Sequence, residues 1–309
     1  MPRSAPPSDD PVIEVRDLRM TYGATEVLRG VDLEVHAGEV VCLLGPNGAG
    51  KTTTIEILEG FRLRSAGHVR VLGADPAEAD EAWRARVGVV LQSWRDHARW
   101  TPRLLLAQLG AYYAPYATAE RPRPYPVDRL LETVGLTDAA DRKIVTLSGG
   151  MRRRLDVAVG IVGRPDLLFL DEPTAGFDPQ ARRDFHDLVH RLSDMEGTSI
   201  LLTTHDLAEA ERLADRILIL DGGRIVADGS AEELTRQVAG SSEVRWSIGA
   251  ERFVHARHDA TAFVRWLFDQ HGAAVTDLEV QRASLEDTYI AMVARQETAA
   301  PRPLAGVLR

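Results

Sequence analysis

Nine consecutive residues, Gly45-Pro46-Asn47-Gly48-Ala49-Gly50-Lys51-Thr52-Thr53, combine glycines, a lysine and hydroxyls at the spacing G-x-x-x-x-G-K-T. That spacing suits a loop that wraps phosphates. Gly45, Gly48 and Gly50 let the backbone turn so that successive N–H groups face phosphate oxygens. Lys51 is expected to reach the β- and γ-phosphates and the Thr52 hydroxyl to ligate Mg²⁺. A helix beginning there would add its N-terminal field. An acidic partner stands at the end of Leu167-Leu168-Phe169-Leu170-Asp171-Glu172. Asp171 is placed for a metal-holding carboxylate, and Glu172 for orienting a water toward the γ-phosphate. His205, after the apolar run Ile200 to Leu202, is a candidate γ-phosphate contact, and Gln92, after Val87 to Leu91, a candidate metal ligand. Leu147-Ser148-Gly149-Gly150 heads a helical stretch and has no lysine at phosphate-loop spacing. Either it is an ordinary N-cap with a glycine turn, or it is a second anion contact for a ligand the sequence does not identify.

These residues need strands to carry them. Val12 to Leu18 and Val27 to Val35 alternate apolar and polar residues like half-buried strands, whereas Glu39 to Leu44 is nearly all apolar and predicts a central strand buried on both faces. Strands are expected at 69–72, 87–91, 167–170, 199–203 and 216–220, and helices at 52–59, 102–113, 127–134, 149–162, 179–195 and 207–213. Pro115, Pro122, Pro124 and Pro126 make the stretch before residue 127 a connector. The alternation predicts a layered α/β domain with mostly parallel central strands. After Gly229 the pattern changes: a closing helix at 232–238, edge-like strands at 243–248 and 275–280, and a helix at 261–271.

Composition narrows the class. The chain has 309 residues, 44% apolar and 27% charged, with 46 acidic against 37 basic residues and a formal net charge of −9. That balance argues against broad nucleic-acid binding. The single cysteine, Cys42, excludes a disulfide framework or a cysteine metal site within one chain. No apolar run is long enough to span a bilayer, and Met1 to Pro11 is polar and proline-rich, without the apolar core of a signal peptide. A cytoplasmic chain is expected, reaching a membrane only through a partner.

Taken together, the motifs resemble the nucleotide-binding subunit of an ATP-binding cassette (ABC) transporter. Residues 45–52 look like its Walker A loop, 167–172 like Walker B with a catalytic glutamate, Gln92 like the Q-loop, and 147–151 like the signature. Ala175 to Asp178 looks like the D-loop, His205 like the switch histidine, and Tyr22 like the aromatic that stacks on adenine. The resemblance implies a P-loop NTPase core of ABC type with an antiparallel β subdomain, a helical signature subdomain and a small α+β C-terminal appendage. It places the ATPase domain at 12–230, with the helical part at about 93–163, and a C-terminal domain at 231–297. The ends, 1–11 and 298–309, are expected to be flexible. It also implies that ATP and Mg²⁺ are held by a dimer, homodimeric or with a related subunit. Each Walker A loop would then face Ser148, Gly149, Gly150 and Asp178 of the opposite subunit, and Thr52, Gln92 and Asp171 would serve the metal. A separately encoded permease would be met near residues 93–101.

Two features refine the resemblance. The signature continues Met151-Arg152-Arg153-Arg154, and Ala283 to Met292 resembles the tail of the daunorubicin-type drug-exporter branch. Ser93 to Trp100, with Trp94, Arg95, Arg99 and Trp100, replaces the usual leucine-rich segment and offers interface anchors. Export of a drug or other hydrophobic compound is the resulting expectation. An importer subunit, a regulatory ATPase and a nucleotide-gated scaffold are the alternatives.

Overall fold

The computed structural model describes residues 10–90, 97–174, 177, 179–238, 242–249, 251–257 and 260–281. The chain forms two compact units, residues 1–225 and 226–309.

In the first unit, β1 (Ile13–Tyr22) and β2 (Thr25–Val35) make a hairpin whose alternating residues bury one face. β3 (Val40–Leu44) is buried at every position and leads through the glycine loop into α1 (Lys51–Leu58). β4 (Ala66–Val71) pairs antiparallel with β1, giving a three-stranded sheet in the order β2-β1-β4. α2 (Glu81–Arg84), capped by Asp80, precedes β5 (Val87–Val90).

Three helices follow. α3 (Pro102–Ala111) begins at an N-cap threonine with proline in its first turn, the pairing that leaves fewest orphan N–H groups. α4 (Val127–Thr133) comes after the proline-rich connector, and α5 (Gly149–Ile161) starts at Ser148. The alternation then resumes with β6 (Leu167–Asp171), α6 (Pro179–Glu196), β7 (Ser199–Thr204), α7 (Leu207–Leu213), β8 (Arg216–Asp221) and β9 (Arg224–Gly229).

The second sheet has six strands in the order β5-β6-β7-β3-β8-β9, and the pairs β5–β6, β6–β7, β7–β3 and β3–β8 are parallel. Its inner strands are continuous apolar runs because both faces are covered. Parallel pairing gathers the C-terminal ends of β3, β6 and β7 on one edge, where ligands of such sheets bind.

The second unit contains α8 (Ala231–Val238), β10 (Ser242–Ile248), β11 (Glu251–Arg257), α9 (Ala260–His271) and β12 (Val275–Gln281). Its sheet order is β11-β10-β12, with Val244, Trp246, Leu267 and Val275 as its small core. The expectation that 243–248 is an edge strand is corrected here. β10 is central, because the short turn at Gly249 folds the unforeseen β11 back against it in register from Ile248↔Glu251 to Ser242↔Arg257. No helix of the described residues is long and apolar enough to cross a membrane.

Candidate functional site: the edge where β3, β6 and β7 end

The loop after β3 is shaped by contacts that tolerate little besides glycine. A Cβ on Gly45 would sit 2.3 Å from the Leu220 carbonyl oxygen of the neighbouring strand β8. Gly50, the N-cap of α1, has φ +108, and a Cβ there would also strike Leu28. Having no side chain, Gly50 leaves the first N–H groups of α1 uncapped by protein side chains, which suits them to phosphate oxygens. Lys51 is 5% exposed. Its Nζ donates to the Gly45 carbonyl at 2.8 Å and the Pro46 carbonyl at 3.1 Å, so the ammonium is folded into the loop it serves.

The acidic segment lies directly across. Thr52 Oγ1 is 3.2 Å from Asp171 Oδ2, which brings a hydroxyl and a carboxylate together at the end of β6. A hydroxyl and a carboxylate form a hard oxygen donor set of the kind Mg²⁺ takes beside phosphates, so the residues present fit that ion. Lys51 Nζ stands 3.6 Å from Glu172 Oε1, and His205 Nδ1 stands 3.3 Å from the same oxygen. Lys51, Thr52, Asp171, Glu172 and His205 therefore converge from three strand ends.

Glu172 is held in a conformation that side-chain-bearing residues rarely adopt, with φ +43. Such a position costs about 1–3 kcal/mol and persists only where neighbours over-determine it. Here Thr203 does so: the Glu172 N–H meets the Thr203 carbonyl at 3.2 Å and Thr203 Oγ1 at 3.0 Å. Thr203 Oγ1 in turn donates to Asp171 Oδ1 at 2.5 Å. Sequence reading passed over Thr203, although its place on β7 beside Asp171 is the signal that would have found it. Glu59, the C-cap of α1, is pushed up to about 8 by burial, with the nearby charges of Asp171 and Glu56 adding to it.

Ser148 caps α5, its Oγ accepting the Met151 N–H at 3.3 Å, so the N-cap reading of that serine holds in the structure. Ser148 and Gly149 are also exposed on the surface at the head of the helix. Farther along α5, the buried Arg153 donates from Nε to the Pro173 carbonyl at 2.9 Å, tying the helix to the residue after Glu172. Asp156, one turn on, is pushed up to about 6 by burial, against the pull of Arg153 and Arg152. Tyr22 ends β1, a 40% exposed residue with the Arg62 guanidinium 5.1 Å above its ring.

Gln92, Ala175, Gly176, Asp178, the segment 93–96 and the tail 283–292 lie outside the described residues. Trp100 stacks on His97 with ring centroids 4.3 Å apart, and backbone bonds from Ile144 and Val145 pin this turn to the segment before Ser148. A cavity of about 460 Å³ between α4 and α6, lined by Tyr125, Arg154, Phe177 and Asp184 among others, includes none of the nucleotide-loop or carboxylate residues.

Known proteins resemble this chain in sequence and in fold. Residues 28–175 match the ABC transporter family. The daunorubicin/doxorubicin resistance ATP-binding protein DrrA of Streptomyces peucetius is 39% identical over 289 residues, 89% of this chain and 86% of the relative. The Nod factor export ATP-binding protein I of Cupriavidus pinatubonensis is 37% identical over 316 aligned positions, 94% of this chain and 95% of the relative. A solved ATP-binding subunit of an ABC transporter superposes with TM-score 0.66 at 27% identity, covering 91% of this chain and 99% of that one. A dimeric post-hydrolysis cassette, MJ0796 bound to ADP and Pi, shares the fold with TM-score 0.60 at 22% identity, covering 71% of this chain and 98% of that one. The chain belongs to the ATP-binding subunits of ABC transporters and is an ATPase of that type.

Proposed function

We propose that this ATPase drives the export of a drug-like or otherwise amphiphilic compound through a separately encoded permease. The reading joins two supports. One is the convergence of Lys51, Thr52, Asp171, Glu172 and His205 on one strand edge. The other is similarity along nearly the whole chain, second unit included, to proteins named for drug resistance and for Nod factor export. The two relatives do not single out one cargo, so the proposal is export of a compound class and not of daunorubicin.

In this reading Lys51 and the N–H groups at the start of α1 bind the β- and γ-phosphates of ATP. Thr52 and Asp171, with Gln92, would hold Mg²⁺, which neutralises phosphate charge during transfer. Glu172 orients the attacking water and accepts its proton, while His205 fixes the glutamate and contacts the γ-phosphate. Tyr22 offers its exposed ring face to adenine. The exposed head of α5, with Ser148, Gly149 and Gly150, and also Asp178, would meet the nucleotide of a second subunit. ATP would thereby join two ATPase domains, each spanning about residues 12–230, and hydrolysis would release them. Residues 93–101 would carry that motion to the permease and hold the protein at the cytoplasmic face of the membrane.

Purification of the tagged chain from its native membrane tests the proposal. A co-purifying multi-span protein is expected, with ATPase activity that rises when doxorubicin or related amphiphiles are added. Recovery with a partner that requires a solute-binding protein for stimulation would refute export.

A further inference from the structure

Asp206 and Glu209 have the D-x-x-E spacing of a helix capping box, in which the second acid reaches back to the N–H of the first. Half of that box is present, since Asp206 Oδ1 accepts the Glu209 N–H at 3.2 Å. The other half is replaced. The Asp206 N–H donates to Thr204 Oγ1 at 3.0 Å, and the Glu209 side chain turns inward, leaving the residue 3% exposed. There Oε1 accepts the Thr174 hydroxyl at 2.7 Å and Oε2 accepts the Thr204 hydroxyl at 2.5 Å.

Burying a carboxylate is costly, and a well-packed apolar residue often gives equal or better stability. Burial pushes the Glu209 carboxyl up while the two threonine hydroxyls oppose that shift. Helix capping does not require the burial, since a solvated glutamate completes a capping box. What the inward turn achieves is a join between two particular segments. Thr174 lies two residues after Glu172, and Thr204 immediately precedes His205.

We infer that Glu209 is a positioning residue for hydrolysis, its two carboxylate oxygens tying the segment that carries Glu172 to the segment that carries His205. The inference rests on the proposed roles of those two residues at the γ-phosphate. Thr203 fixes the backbone at Glu172, and the Thr174–Glu209–Thr204 bridge fixes the spacing of the two segments beyond it. With the bridge intact, the glutamate and histidine side chains meet at 3.3 Å. Without it, the two segments lose their side-chain tie beyond Thr203, while the phosphate loop keeps its own bonds, Lys51 Nζ to the Gly45 and Pro46 carbonyls and the Gly45 N–H to the Thr204 carbonyl. Turnover should therefore suffer and nucleotide affinity should not.

The test uses the full chain, with kcat, the Kd of a fluorescent MgATP analogue and the melting temperature measured for Glu209→Ala, Glu209→Gln and Thr174→Val. Glu209→Ala is expected to lose about tenfold or more in kcat with Kd within about threefold, the pattern of a group that acts only on the reacting geometry. Glu209→Gln can accept from one threonine and donate to the other, so it should recover most of that loss. Thr174→Val removes one arm with little change of shape and should fall between them. Wild-type kcat in both Glu209→Ala and Thr174→Val would overturn the inference. So would a loss of kcat matched by equal losses of affinity and melting temperature in all three variants. Wild-type turnover in Glu172→Gln would instead sink the catalytic assignment on which the inference stands.

Discussion

Glu59 links the stability of this protein to pH in a way that can be worked from its surroundings. The residue closes α1 and is partly buried, and its carboxyl is pushed from 4.5 up to about 8, chiefly by burial and then by the charges of Asp171 and Glu56. Between those two values the unfolded chain has released the proton and the folded chain still holds it. Stability contributed by this group is therefore complete below about pH 4.5, falls as pH rises, and is lost once pH passes the folded value. At about 1.4 kcal/mol for each unit of pH, the penalty at pH 7 reaches roughly 3 kcal/mol as an upper limit. Solvent at the part-exposed carboxylate brings it to about 1–3 kcal/mol. Glu59→Gln keeps the shape and removes the titration. In chelator-treated, nucleotide-free protein, urea unfolding at pH 4, 7 and 8.5 should show the variant nearly equal to wild type at the lowest pH. Its advantage should grow to about 1–3 kcal/mol at pH 7 and further by pH 8.5. A pH-independent difference, or a variant less stable throughout, would refute the reasoning, because burial of the neutral acid could then not be the source of the shift.

Other expectations follow from the same geometry. Glu172→Gln should cut single-turnover ATP hydrolysis by about 100-fold or more and leave MgATP binding intact, since it alters the proton-accepting group and not the phosphate loop. Lys51→Ala should weaken MgATP binding by at least about tenfold in equilibrium titration, because the ammonium folded against Gly45 and Pro46 is the loop's one side-chain cation. Gly45→Ala should destabilise the chain by about 2–4 kcal/mol in denaturant unfolding, as its Cβ meets a strand carbonyl that can move only with β8. Arg153→Met should cost about 1–3 kcal/mol by leaving the Pro173 carbonyl without its donor. It should also slow hydrolysis, measured as kcat at saturating MgATP.

The parts of the site that could be read in the sequence are those written at short range. A phosphate loop is a contiguous motif, and the burial of β3 and β6 on both faces shows as unbroken apolar runs. Parallel pairing then makes the meeting of Lys51, Asp171 and His205 a consequence of three strand ends lying on one edge. What escaped has long range or a second local explanation. β11 was missed because Glu251 to Arg257 contains four polar residues, Glu251, Arg252, His255 and Arg257, and only its pairing with β10 marks it as a strand. Thr203 falls inside the expected strand 199–203 and Thr174 stands in no motif, since a threonine carries no hint of which carboxylate its hydroxyl will meet.

Glu209 shows the difficulty most sharply. Its spacing from Asp206 is that of a local cap, and the local reading accounts for the pattern completely. Only burial reveals that the side chain serves other partners, 35 residues away in sequence at Thr174. A sheet edge that must carry a strained Glu172 needs restraint from neighbouring segments, which here comes from Thr203 on β7 and from the Thr174–Glu209–Thr204 bridge. In sequence such residues resemble caps and turns, because the same oxygens serve both purposes. The nucleotide-facing residues are therefore legible as motifs. The hydroxyls and the buried acid that hold them in place become legible only when the strands are laid side by side.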